Sequence, residues 1–351
     1  MMRDMFTLLS YLFVVIGLSV LVLVHEAGHF IAAKAYGIFV EEFGFGLPPR
    51  ITGKRFGETL ISLNWLPFGG FVRLHGEMPD SEKNAFPQVS PARSFSGQSI
   101  GRRTMVIGAG VLMNFLLGWF LLSAVFMTGI PQSLTVTDIQ QGSAAQNAGV
   151  QKGDQLLGFS TIADLTSFLE QHGGGTVLLS IIRNNNKQAV SVTLPSSTAG
   201  TQVHLGVYLV ESGVSRLGVW ASVTHGLSEA WDISLAIIVG LGALIMSFFG
   251  HGAVAGGFVG PVGIVTVAAQ TARQGIMYFI QLLAILSLNL AVFNILPFPA
   301  LDGGRLAFLA FEKIAGRKAN EKWEIAFNTI GFAVLLFLIA VVTAHDILKL
   351  L

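Results

Sequence analysis

Met5–Val24, MFTLLSYLFVVIGLSVLVLV, runs without a charged residue straight into His25-Glu26-Ala27-Gly28-His29. Twenty apolar residues in helical form cover about 30 Å, the thickness of a bilayer's hydrocarbon core. A secretory signal peptide also begins with an apolar run, but its core is shorter and it ends in a small-residue cleavage site. Cleavage here would discard the His/Glu pattern that follows, so the run reads as a retained membrane span.

The pattern fits H-E-x-x-H. On a helix, residues i and i+4 share one face, so the imidazoles of His25 and His29 can reach one metal ion. Glu26 stands beside them, suited to taking a proton from an attacking water. Two histidines and a glutamate at the end of an apolar helix are costly in lipid unless something holds them. The chain has no cysteine, so any metal must be held by His, Asp or Glu. A catalytic zinc site needs a third protein ligand and an open position. Asp302 is the candidate, at the end of the uncharged run Gly275–Leu301 within Asn294-Ile295-Leu296-Pro297-Phe298-Pro299-Ala300-Leu301-Asp302-Gly303-Gly304. The prolines break the helix, and Gly303-Gly304 allow an unusual turn. Spacing alone leaves two readings of Asp302, a third ligand or a helix-terminating residue at the interface.

Two further uncharged runs, Thr104–Ile130 and Ile325–Ala344, are also long enough to cross. A fifth, Ile233–Phe249, is shorter and leads into the Gly-rich stretch His251–Gly263, which reads as close helix packing or as a gate. Hydrophobic residues make up 52% of the 351 and charged ones 12%, with mean hydropathy +0.66. Soluble domains carry roughly a quarter charged residues, so the chain belongs in lipid. A net charge of +1 gives no basic surface for nucleic acid. The expected architecture is a polytopic α-helical membrane protein of about four transmembrane helices. Residues 1–130 form an N-terminal membrane half, 131–215 an inserted α+β domain with β-type stretches, and 216–351 a C-terminal membrane half.

Nine Lys or Arg lie between Lys34 and Arg103 and five between Arg305 and Lys322. The positive-inside rule puts both stretches in the cytoplasm and the inserted domain outside. His25 and His29 then lie toward the cytoplasmic end of the first span. Asp302 reaches them only if 233–272 lies on the interface, dips and returns, or crosses as a pair. A single crossing by Ile233–Phe249 would strand Asp302 on the far side.

These residues together resemble the site-2 protease family, in its bacterial RseP-like branch. His25-Glu26-Ala27-Gly28-His29-Phe30 is close to its zinc motif, and Asn294 to Gly304 resembles its N-x-x-P-x-P-x-x-D-G-G signature. Gly44-Phe45-Gly46 and Pro67-Phe68-Gly69-Gly70-Phe71-Val72-Arg73 resemble a membrane-associated β-hairpin region, about 38–75. Gly260-Pro261-Val262-Gly263-Ile264 also has a counterpart. The resemblance implies one Zn2+ per chain on His25, His29 and Asp302, with Glu26 as general base. It also implies substrate contacts at Asn294, Gly69 and Gly70, single-span membrane protein clients such as anti-sigma factors or signal-peptide remnants, and a place in the bacterial inner membrane. Gly110-Val111-Leu112-Met113-Asn114 keeps the Gly and Asn of a second-span G-P-x-x-N pattern but lacks its proline. Asn114 is assigned to helix packing first and substrate contact second. The inserted segment is similar to a PDZ module through Gly142-Ser143-Ala144-Ala145, Ala148-Gly149-Val150 and Gly153-Asp154-Gln155-Leu156-Leu157, which implies an edge strand that takes an extended peptide.

Two other classes compete with a protease. A metal-ion transporter would spread its ligands along a path, whereas these gather at one end. A silent PDZ-bearing scaffold would have no use for Glu26.

Overall fold

A computed structural model describes residues 2–77, 89–183, 186–195, 204–249, 260–317 and 320–350. The glycine-rich residues 250–259, with His251, and Asn184-Asn185 lie outside these. The chain divides into two compact units, Met1–Ala124 with Trp220–Leu351, and Val125–Val219.

The first unit is built on long helices: α1 (Met2–Ala35), α2 (Ile100–Thr128), α5 (Val219–Phe249), α7 (Ile276–Ile295) and α9 (Glu321–Leu350). Among the described residues five helices, Leu12–Ala35, Ile100–Thr128, Val219–Leu244, Ile276–Ile295 and Lys322–Leu348, are long and apolar enough to cross a membrane. The architecture is thus that of a polytopic helical membrane protein with β-sheet regions. The short run expected at Ile233–Phe249 is the second half of the 31-residue α5. The helix starts earlier because Val219, Trp220, Leu227 and Trp231 extend its apolar side; all four are exposed.

Helix directions follow from side-chain neighbours. Gly17 of α1 lies against Phe279 and Leu283 of α7, and further along both, His25 and Ser287 meet the same residue of α2, Asn114. The two helices therefore run the same way. α2 runs opposite: its Val106 meets His29, its Asn114 meets His25 and the carbonyl of Asn114 accepts from Ser287 Oγ at 2.7 Å. The short apolar helix α6 (Pro261–Gln274) packs Ala268 and Ala269 against Val14 and Phe279. Its first turn is held from α9, where buried Asp346 accepts from the N–H groups of Gly260 (3.2 Å) and Gly263 (2.8 Å). These are the amides that a helix start leaves without partners.

Between α1 and α2 the chain forms two long strands, β1 (Val40–Phe56) and β2 (Thr59–Leu74). Both bend sharply, so that Phe43 faces Ile61 on one side and Val72 on the other. Residues 70–74 are thereby left as an outer segment. His75 N–H donates back to Phe39 O at 3.0 Å. Alternate residues of a strand present their main-chain groups to opposite edges, so the N–H of Val72 points away from β1.

The second unit is a five-stranded antiparallel sheet in the order β6-β5-β4-β3-β7. Its strands are β3 (Ile130–Ile139), β4 (Gln155–Leu156), β5 (Thr176–Arg183), β6 (Asn186–Thr193) and β7 (Val207–Val214). Two helices accompany it, α3 (Ala144–Asn147) and α4 (Ile162–Gln171), the latter opened by a capping box between Thr161 and Asp164. Leu134, Leu156, Leu165, Leu169, Leu179 and Ile181 fill the core. The buried carboxylate of Asp154 is met by Arg183, Nε at 2.8 Å and Nη2 at 2.6 Å, and by the N–H of Gln151 at 2.8 Å. Burial alone would push this carboxyl up, but these donors outweigh it and hold it below its ordinary range.

Candidate metal centre and active site

The helix period of α1 places His25 and His29 one turn apart on one face. Both rings are buried and stand edge to face, centroids 4.7 Å apart. Helix α7 ends at Ile295, as Pro297 and Pro299 require. A tight turn through Ala300, at φ 67°, then starts α8 (Asp302–Ala315) at the histidines. The glycines after Asp302 serve a different purpose from the one their sequence suggests. Both lie in the first turn of α8, and a Cβ on Gly303 would meet the Leu296 carbonyl, one on Gly304 that of Phe298. They are small because the chain doubles back on itself, and the left-handed residue is Ala300.

Three ligand-type atoms converge. Asp302 Oδ2 lies 3.0 Å from His25 Nε2 and 3.2 Å from His29 Nε2, and the two Nε2 atoms are 3.1 Å apart. Ligands ~2.0–2.1 Å from a tetrahedral zinc ion stand about 3.3 Å from one another. The buried Oδ2 has no hydrogen-bond donor. His29 Nδ1 sits 2.9 Å from the carbonyl of Val106, an acceptor that requires the ring proton on Nδ1. Nε2 is then a bare lone pair facing a carboxylate oxygen. That arrangement repels unless a cation stands between the two, so the donor set fits a zinc ion.

Glu26, on the next position of α1, turns toward the sheet: its Oε2 accepts the N–H of Val72 at 3.0 Å. Gly69, at φ 74°, turns the chain beside Val22. At Gly70 a Cβ would stand 2.8 Å from Leu23 Cδ2 and from the Gly44 carbonyl, so the absence of a side chain lets the outer strand approach α1. Asn294 is half-buried in the last turn of α7.

Two further residues complete the surroundings. Gly110 of α2 faces both rings: a Cβ there would lie 2.5 Å from His29 Cε1 and 2.8 Å from His25 Cε1. Asn114, fully buried, brings its amide to 3.4 Å from His25 Nδ1. The Gly110–Asn114 spacing of one helical turn was the available signal; what it could not convey was that both face the histidines.

A bundle of apolar helices with an H-E-x-x-H pair and an acidic third group buried together defines a membrane-embedded metallopeptidase. The comparisons with known proteins carry this to a family. The profile of Peptidase family M50 matches residues 13–338. A Clostridium perfringens protein, provisionally named a zinc metalloprotease, is 33% identical over 343 residues, covering 96% of this chain and 98% of its own. Zinc metalloprotease RasP of Geobacillus kaustophilus is 29% identical over 421 residues, 98% and 99% of the two chains. The Regulator of sigma-W protease RasP of Bacillus subtilis is 27% identical over 410 residues, 94% and 96%. The chain belongs to peptidase family M50, and is a zinc metalloprotease of the site-2 protease type.

Proposed function

We propose that His25, His29 and Asp302 hold the zinc ion and that Glu26 is the general base for peptide hydrolysis within or beside a substrate's transmembrane segment. The observation that carries this reading is the buried, donor-free Asp302 Oδ2 facing two ring nitrogens. Zinc, when bound, supplies Lewis-acid polarisation at the scissile carbonyl. Glu26 takes the proton of the attacking water and returns it to the leaving amine.

An intact helix hides its carbonyls in hydrogen bonds, so a single-span client must be unwound before it is cut. Val72, with Gly69 and Gly70 just ahead of it, offers a strand edge beside Glu26, which now holds the Val72 N–H. A client segment added to that edge lies extended across the metal centre. Asn294 lies eight residues before Asp302 and serves the client backbone or the developing oxyanion. The name of the Bacillus subtilis relative, a regulator of sigma-W protease, supports anti-sigma factors as the client class.

Four spans suit the helix directions. α1 and α7 run in parallel and α2 against them, so an even number of crossings separates α2 from α7. α6 rests on Val14 and on the end of α9, away from the metal centre. α5 then lies along the interface, where exposed Trp220 and Trp231 are at home. The basic stretches 34–103 and 305–322 support a metal centre toward the cytoplasm. The 125–219 unit is then external and PDZ-like. Its edge strand β7 and helix α4 flank a cleft of about 250 Å³ lined by Gln140, Leu165, Leu169, Leu205 and Tyr208, suited to an extended peptide.

The test is cleavage of a purified single-span substrate by the protein in proteoliposomes. Activity lost on chelation and restored by zinc supports the reading. Activity indifferent to chelation, after zinc is shown to have been removed, contradicts it.

A further inference from the structure

Asn114 is fully buried on α2, beside His25. Its backbone is fixed: the carbonyl accepts from Ser287 Oγ at 2.7 Å, which ties α2 to α7 at this level. Its side-chain amide touches His25 Nδ1 at 3.4 Å, and the other amide position has no partner. The oxygen and nitrogen of an amide exchange by a half-turn about the last side-chain bond, so the contact admits two assignments.

The two assignments have opposite chemical consequences. If the NH2 group donates to His25 Nδ1, the ring proton must sit on Nε2, the atom that faces Asp302 and His29. A protonated Nε2 cannot bind a metal. If the amide oxygen accepts instead, Nδ1 keeps the proton and Nε2 offers its lone pair. The hydrogen-bonding count of the amide is the same either way, so the metal decides. His29 already shows the second pattern, its Nδ1 against the carbonyl of Val106 at 2.9 Å. Metal-binding histidines characteristically give their other N–H to an oxygen that fixes tautomer and ring orientation.

We propose that Asn114 is a positioning residue whose side-chain oxygen accepts from His25 Nδ1–H and holds that ring in its zinc-binding tautomer. Each histidine then has its own acceptor on α2, a main-chain carbonyl for His29 and a side-chain oxygen for His25. The two lie eight residues apart on one face of one helix. This inference rests on the zinc reading of His25, and it distinguishes an acceptor at residue 114 from mere helix packing.

The experiment measures zinc retention by the full-length protein in detergent against a graded chelator, and the visible absorption of its cobalt(II)-substituted form. Asn114→Leu keeps the volume and removes the acceptor; its zinc affinity is expected to fall about 10–100-fold. Asn114→Asp keeps an acceptor and can only accept; it is expected to hold zinc within threefold of the parent protein with the parent cobalt spectrum. Zinc retention by Asn114→Leu equal to the parent, or loss in Asn114→Asp matching that in Asn114→Leu, overturns the proposal. If Asn114→Leu is not monodisperse, Asn114→Ala carries the same prediction, and the Asn114→Asp outcome stands on its own. His25→Ala is the control. Zinc fully retained without His25 would overturn the metal-site reading itself rather than the role of Asn114.

Discussion

The main-chain N–H of Val72 donates to Oε2 of Glu26 across 3.0 Å, so the outer segment of β2 is fastened to the residue proposed as the general base. The same N–H is one that a client strand adding to this edge would use. On the proposed reading, binding at the edge and the setting of the base would be coupled through one donor.

Val72→Pro removes that donor, and proline is tolerated on an edge strand. A hydrogen bond to a charged group contributes about 1.5–3 kcal/mol, so kcat/KM should fall roughly ten- to a hundredfold. Zinc content should stay at the parent level. Steady-state cleavage with parallel metal analysis checks this, and unchanged kinetics would remove the edge from the account.

Gly110→Ala places a methyl group 2.5 Å from the His29 ring position, closer than carbon atoms approach without a shift. Helix and ring must part, and the three ligand atoms lose their common centre. The expected result is weakened zinc retention with the protein still monodisperse, read by chelator competition. Full retention would mean that α2 does not set the geometry of the rings.

Asp302→Ala leaves two imidazoles for the ion. Structural and catalytic zinc sites take at least three protein ligands, so both zinc content and cleavage should be lost. Asp302→Ala that keeps zinc and loses only activity would reassign Asp302 from ligand to substrate contact.

The pairing of buried Asp154 with partly exposed Arg183 gives the 125–219 unit a pH dependence. The carboxyl of Asp154 is held low in the folded state, so its contribution is fully present above its unfolded value, about 3.9. It fades as pH falls below that value through the folded one. Asp154→Asn removes the charge that Arg183 meets and should destabilise the unit by about 1–2 kcal/mol at neutral pH. Hydrogen exchange at β4 and β5 in the whole chain reads the loss, which should narrow at acid pH. Equal protection in both proteins at pH 7 would contradict this.

How much of this was legible beforehand varies by residue. His25 and His29 were legible because four-residue spacing on a helix is a geometric statement in itself. Asp302 was not settled by spacing, since it lies 273 residues beyond His29 and only the folded chain brings them together. Gly303 and Gly304 were visible as special, but for the wrong reason: steric closeness to Leu296 and Phe298 leaves no trace in a local pattern. The first half of α5 is hidden in the sequence because Ser222, Thr224, His225 and Glu229 interrupt its apolar run, although a helix needs only one apolar side. The contact between Asn114 and His25 depends on the rotation of two helices about their axes, which periodicity alone does not relate.

The central claim is tested most directly by cleavage of a model single-span substrate with the purified protein and with Glu26→Gln, zinc content being measured in both. The account predicts one zinc per chain in each and cleavage by the parent alone, since glutamine occupies the same place but cannot take up the proton. Comparable cleavage by Glu26→Gln at full zinc content would contradict it.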